Sequence, residues 1–263
     1  MDQPPPSTDP SPTVPTPPAM SLGTRLLNVF AAPGEVFEAL KPAPSTAANW
    51  LVPTVLFILT SWLSAWLIFS QDSIKQQLND ITDQAFQKQV DQGRLSEQQA
   101  EQAREAAAKY GGIGSKIGAV AGPVIVGFAS PFCWGLIFWL VGNKALKGNF
   151  PYMKAVEAVG LTNAIGVLEV IVRTLLVVAM GNLYAAPNLA LAVKGFDPQN
   201  TLHAILAMVN IMIFWLLLVR SIGVARLSGA TLGKAAIWVF GIWAFYTAVF
   251  IGFGAAMKAA FGG

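Results

Sequence analysis

Apolar and polar positions along this chain separate on the scale of whole helices. Five stretches are long and apolar enough to meet the requirement of about 20 residues for crossing a bilayer as a helix. They run over 51–70 (LVPTVLFILTSWLSAWLIFS), 117–141, 151–180, 199–219 and 235–256. Start signals accompany two of them. Pro151 in "NFPYMKAVEA" sits at a first-turn position where its missing N–H does no harm, and in "FDPQN" Asp197 can cap while Pro198 starts the turn.

Between the first two spans, residues 71–116 turn polar and read as an extramembrane helical hairpin, with helices at 72–91 and 96–109. Gly93 marks the break, Ser96 and Gln99 form a capping box, and Ile74, Leu78 and Ile81 make a narrow apolar stripe on the first helix. A solvated hairpin is the favoured reading, a partner-binding coiled segment the alternative. Ahead of the first span, in the interfacial segment 21–49, Leu22, Leu26, Val29, Phe30, Val36, Phe37 and Leu40 recur at helical intervals. "AAPG" interrupts them and Pro33 restarts the pattern, giving two short amphipathic helices that either lie in the interface or pack beneath the bundle. Residues 1–20 contain no apolar signal core and carry eight prolines in the first eighteen positions, as expected of a solvated, disordered tail. Residues 257–263 form a short C-terminal tail after the 50–256 membrane domain.

Composition agrees with that pattern. Of 263 residues 54% are hydrophobic and 12% charged, and the mean hydropathy is +0.53, which suits a membrane protein and not a soluble domain. The lone Cys133 lies within an apolar run, where packing is its expected role. A net charge of +3, scattered over loops, suggests no nucleic-acid partner. Orientation follows from Arg25, Lys41, Lys144, Lys147, Lys154, Arg220, Arg226 and Lys234 on one side, against Lys194, Lys258 and the 71–116 loop on the other, where seven acidic residues offset six basic ones. The positive-inside rule then places the N-terminus in the cytoplasm and the C-terminus outside.

Polar groups inside the spans are the candidate chemistry. Glu169 and Arg173 are one turn apart on the third span, where each alone costs about 2.5–3.5 kcal/mol at mid-membrane and the pair largely cancels. At 1.5 Å per residue they lie roughly 21 and 27 Å from the cytoplasmic end, while Asn210 and His203 on the fourth span lie roughly 15 and 25 Å from it. The four residues can therefore form one polar layer. It reads either as polar glue between two helices, the favoured case, or as a proton, ion or lipid-headgroup site. Gly118 and Gly122 give the second span a small-xxx-small packing motif, and Pro123 and Pro131 predict a kink or split in it. Lys154 and Glu157 read as an ordinary surface pair. With one histidine there is no zinc-binding HExxH motif, no carboxylate or histidine cluster has metal spacing, and no serine has a base nearby, so neither catalysis nor a cofactor is expected. "EVIVR", with Glu169 and Arg173, resembles part of the motif of CAAX-type intramembrane proteases, but position 168 is Leu where that family doubles its glutamate, and its second histidine helix has no counterpart.

The strongest likeness lies toward the end of the chain. "NIMIFWLLLVRSIGVARLSGATLGKA", residues 210–235, resembles the signature of the YIP (Ypt-interacting-protein) family through Asn210, Trp215, Gly223, Gly229, Lys234 and Ala235. An N-terminal mark of bacterial-type members is matched by Phe30, Pro33, Phe37, Leu40 and Pro42. Many members carry an aspartate where this chain has Asn210. The resemblance covers residues 25–256 and implies five spans with the N-terminus inside. Eukaryotic members are membrane adaptors that bind prenylated Rab GTPases.

The expectation is thus an all-α polytopic protein, a five-span bundle with an extracytoplasmic hairpin, in a bacterial inner membrane. Its expected role is a non-enzymatic scaffold binding membrane lipids, other membrane proteins or copies of itself. The competing reading is a permease or channel built on Glu169, Arg173, His203 and Asn210.

Overall fold

A computed structural model describes residues 20–261 apart from positions 108, 110, 111 and 199. The proline-rich tail over 1–19 and the last two residues lie outside the described set. Among the described residues the chain is all helix, with α1 (Leu22–Ala31), α2 (Pro33–Leu40), α3 (Ala48–Ser70), α4 (Asp72–Asp91), α5 (Glu97–Ala106), α6 (Gly112–Leu140), α7 (Tyr152–Met180), α8 (Thr201–Met208), α9 (Ile211–Ser228) and α10 (Leu232–Phe261). A π-helical turn, Val141–Ala145, extends α6, and a short 3-10 turn, Leu189–Ala192, precedes α8.

Five helices are long and apolar enough to cross a membrane: Ala48–Ser70, Lys116–Ala145, Tyr152–Met180, Ile211–Ser228 and Leu232–Gly254. Four match the spans expected from apolar length. The fourth does not, because the expected 199–219 helix is two helices with a break at Val209–Asn210. Asn200, not Asp197, caps α8 by accepting from Leu202 N at 2.9 Å and His203 N at 3.3 Å. Asn210 then caps α9 through Met212 N at 2.8 Å, so the membrane helix starts there and runs on past Arg220 to Gly229, whose φ of +73° ends it.

Alternating directions put α1 and α2 at one end of the bundle, the foot, and the α4–α5 hairpin at the other. Ser21 caps α1 by accepting from Thr24 N at 3.2 Å, and Pro33 opens α2 as its first residue. Of the two placements open for this segment, packing beneath the bundle is the one found. Val29, Val36, Phe37 and Leu40 are fully buried in the same core as Val159 and Leu161 of α7 and Val224 and Leu227 of α9.

α7 is the central helix, packed on α3, α6, α9 and both foot helices. Its 29 residues span about 43 Å, well beyond a hydrocarbon core of about 30 Å, and its last turns meet the hairpin. There Val177 packs with Ile74 of α4, and Gln77 binds the following loop by accepting from Leu183 N at 2.8 Å. The hairpin has the expected form: the Ser96–Gln99 capping box is present and Gly93 turns with φ +67°. α10 packs chiefly on α9.

α6 is one continuous helix through Pro123 and Pro131, not a split one. Pro131 has no N–H to give the Gly127 carbonyl four residues back, and the Thr54 hydroxyl of α3 donates to that carbonyl at 3.3 Å instead. The packing glycines are also not the expected pair. A Cβ at Gly118 or Gly122 would meet open space, whereas one at Gly127 would lie 3.2 Å from Ile58 and one at Gly135 2.9 Å from Val156.

Candidate functional site

The densest polar chemistry in the bundle lies where the foot meets the first turns of α3 and α7. Glu157, on α7, is completely buried. Its Oε2 accepts from Asn49 Nδ2 at 2.9 Å and from Lys154 Nζ at 3.3 Å, and its Oε1 accepts from the backbone N–H of Thr46 at 3.0 Å. Asn49, the second residue of α3 and also fully buried, uses its Oδ1 to accept from Arg25 Nη1 of α1 at 3.1 Å. One carboxylate and one amide thus hold two cations and tie α1, α3 and α7 together. Charges without water are retained only when paired and hydrogen-bonded, as here. Lys154 and Glu157 are accordingly not the surface pair that their spacing suggested: α1 and the α2–α3 connection cover them.

The second fastening is apolar and uses the motif residues. The Phe30 and Trp215 rings meet edge to face with centroids 5.7 Å apart. Phe37 packs against Gly223, where a Cβ would come within 3.2 Å of the ring. Leu40 is buried beside them, and Ala235, in the first turn of α10, is buried in the same core. Lys234 is exposed at the foot end. Two segments nearly 200 residues apart in sequence therefore form one joint.

Outside that joint, α2 and the α9–α10 turn enclose a cleft of about 600 Å³, lined by Pro33, Gly34, Glu38, Lys41, Arg226 and Thr231 among others. Arg226 crosses it, with Nη1 donating to Glu38 Oε1 at 3.2 Å. Both side chains are half-exposed, so this pair is a solvated latch of small energetic weight. Gly34 leaves room for the guanidinium, which would sit 3.5 Å from a Cβ there.

Deeper in the bundle, Arg220 is buried halfway along α9. Its Nε donates to Thr162 Oγ1 at 3.4 Å and its guanidinium stacks 5.0 Å from the Trp134 ring centroid. An aromatic face in place of a carboxylate is an effective partner for a desolvated guanidinium.

The four residues of the expected polar layer lie toward the hairpin end and are only partly brought together. Glu169 is half-buried, with Arg173 and the Asn210 side chain as its interacting neighbours. Arg173 is exposed and near the end of α7. Asn210 is buried at the α9 cap, beside an antiparallel bridge to Asn188 that fixes the preceding loop. His203 stands on α8, outside the five spans: its Nδ1 accepts from Asp197 N at 3.0 Å and its ring stacks on Phe196 with centroids 5.8 Å apart. The layer was drawn with His203 inside a continuous helix, and the break at Val209 removes it.

Arg25 and Arg220 stood out in the sequence only as orienting charges, and Asn49 not at all. A usable signal was the unbroken apolar context of Glu157 in "AVEAVGL", which leaves its helix no solvated face.

Five helices long and apolar enough to cross a membrane define an α-helical multi-pass membrane protein. The Yip1 domain model matches residues 27–254, and the chain belongs to the Yip1 domain family. That range takes in the second half of α1, all of α2 and all five spans, and stops short of the last turns of α10. No curated protein and no solved structure matches the chain.

Proposed function

We propose that the protein is a non-enzymatic membrane scaffold of Yip1 type that holds other membrane proteins through its foot. The observation that carries this reading is the double fastening of α1–α2, by Arg25–Asn49–Glu157 on one side and by Phe37–Gly223 on the other. It makes a short segment into a rigid ledge with a charged cleft beside it. A docking platform needs a surface that does not yield on binding, and this ledge supplies one. Arg25, Lys41, Lys144, Lys147, Lys154, Arg226 and Lys234 all lie at the foot end, which supports a cytoplasmic foot and an extracytoplasmic hairpin and C-terminus in a bacterial inner membrane.

The test is crosslinking in the native membrane, purification in mild detergent and mass spectrometry of what accompanies the chain. A stoichiometric membrane-protein partner is expected, and reversing the cleft cations in Lys41→Glu/Arg226→Glu should release it without unfolding the bundle. Recovery of the protein alone, together with a solute flux that Glu169→Gln abolishes, would overturn the scaffold in favour of the permease reading.

A further inference from the structure

A second cavity lies at the opposite end of the bundle, between the last turns of α3 and the first turns of α6. It has a volume of about 570 Å³ and is lined by Trp62, Trp66, Phe69 and Val120, with Lys75 and Lys116 at the end where α4 and α6 begin. Ala65 and Ala119, on the two facing helices, are small and leave the groove deep. Trp62 is fixed as the back wall, since its Nε1 donates to the Val120 carbonyl at 3.0 Å. Trp66 is 67% exposed and stands roughly 6 Å below the end of α3, with Trp62 roughly 12 Å below it.

The groove therefore changes character with depth. Lys75 follows the end of the first span by one turn of α4, and Lys116 opens the second span. Going inward from the helix ends, two lysines come first, then a tryptophan about one turn along α3, then an apolar trough. Among the described residues the carboxylate paired with a rim lysine is Asp72, which accepts from Lys75 Nζ at 2.8 Å. Lys116 has no ion-pair partner among the described residues. The rim is left with one net positive charge, the complement of one phosphodiester.

We infer that this groove is a site for a single anionic phospholipid of the hairpin-side leaflet, whose phosphodiester carries no compensating ammonium. The phosphate lies between Lys75 and Lys116, the ester region meets the Trp66 indole, and one acyl chain follows Trp62, Ala119 and Val120. A zwitterionic lipid brings its own cation to the same rim and is disfavoured by the charge that attracts the anionic one.

The experiment is native mass spectrometry of the full chain, released from detergent with equimolar phosphatidylglycerol and phosphatidylcholine of matched acyl chains. One retained phosphatidylglycerol is expected, with its preference over phosphatidylcholine falling about five-fold for each lysine removed in Lys75→Gln and Lys116→Gln. Asp72→Asn should raise the preference, an effect that loss of structure cannot mimic. The site is checked in vesicles containing a few per cent of phosphatidylglycerol brominated on its acyl chain, where Trp62→Phe should remove the excess quenching. Equal retention of the two lipids, a preference that survives the double lysine variant, or a protein helix recovered in the groove would each overturn the inference. None of these readouts depends on a partner at the foot, so failure here leaves the scaffold reading to its own test.

Discussion

Asn49 and Glu157, 108 positions apart, meet at 2.9 Å in the dry interior of the bundle, and the amide hands on to the carboxylate the grip that its other end holds on Arg25. Replacing Glu157 with Gln leaves Lys154 buried without its counter-charge. Breaking a buried pair by losing one partner costs about 3–5 kcal/mol, so Glu157→Gln should lower the midpoint of SDS-induced unfolding markedly. Lys154→Met in the same chain should restore part of the loss, because the orphaned cation is then gone.

Gly160 is where α7 comes closest to α3. A Cβ there would lie 2.9 Å from the Asn49 carbonyl oxygen and would overlap Trp50. Both are backbone or anchored groups, so neither can yield cheaply. Gly160→Ala should destabilise by about 1–3 kcal/mol, whereas Gly166→Ala, with nothing within 4 Å of the added carbon, should be close to neutral. Thermal unfolding in one detergent compares the two directly.

Phe37→Ala removes a fully buried ring from between α2 and α9, a change of about 3–5 kcal/mol in a packed core. The expected result is a loosened foot on an intact bundle. Proteolysis should then cut within the α2–α3 connection, at a site protected in the parent chain, while the hairpin keeps its resistance. Gly223→Leu should reproduce the effect from the other side of the joint.

The exposed Asp72 carboxyl is held below its ordinary value of 3.8, first by the hydrogen bond from Lys75 and then by that ammonium's charge. A depressed folded-state value means that the contribution is present above the unfolded value and is lost as pH falls through the folded one. Both groups are solvated, so the expected change in stability is slight. A side-chain NMR titration should show the Asp72 transition moving up toward 3.8 in Lys75→Gln.

The fold was legible because span length and apolar content are local properties. The four spans without an internal cap came out in place from residue counts, and so did the hairpin, whose capping box lies within four residues. Asn210 broke the pattern: a polar residue in an apolar run reads equally well as interior glue or as a cap, and only the backbone at Val209 decides. The candidate site was less legible for a different reason. Lys154 and Glu157 are three apart and look self-sufficient, while their burial depends on Arg25 and Asn49, more than a hundred positions away. The motif positions Phe30, Pro33, Phe37, Trp215 and Gly223 were visible as a likeness, but nothing local said that the two halves of the motif touch.

That joint also imposes an order of events. The foot rests on α9, whose Gly223 leaves the ribosome some 190 residues after Phe37 does. The foot is thus seated in two steps, first against α3 and α7 and then against α9, and until the fourth span enters the membrane Phe37 lacks the Gly223 surface it rests on. Chains stalled before residue 211 should carry a half-sheltered foot, and closure of that contact reports the arrival of the fourth span, with only α10 still to be added.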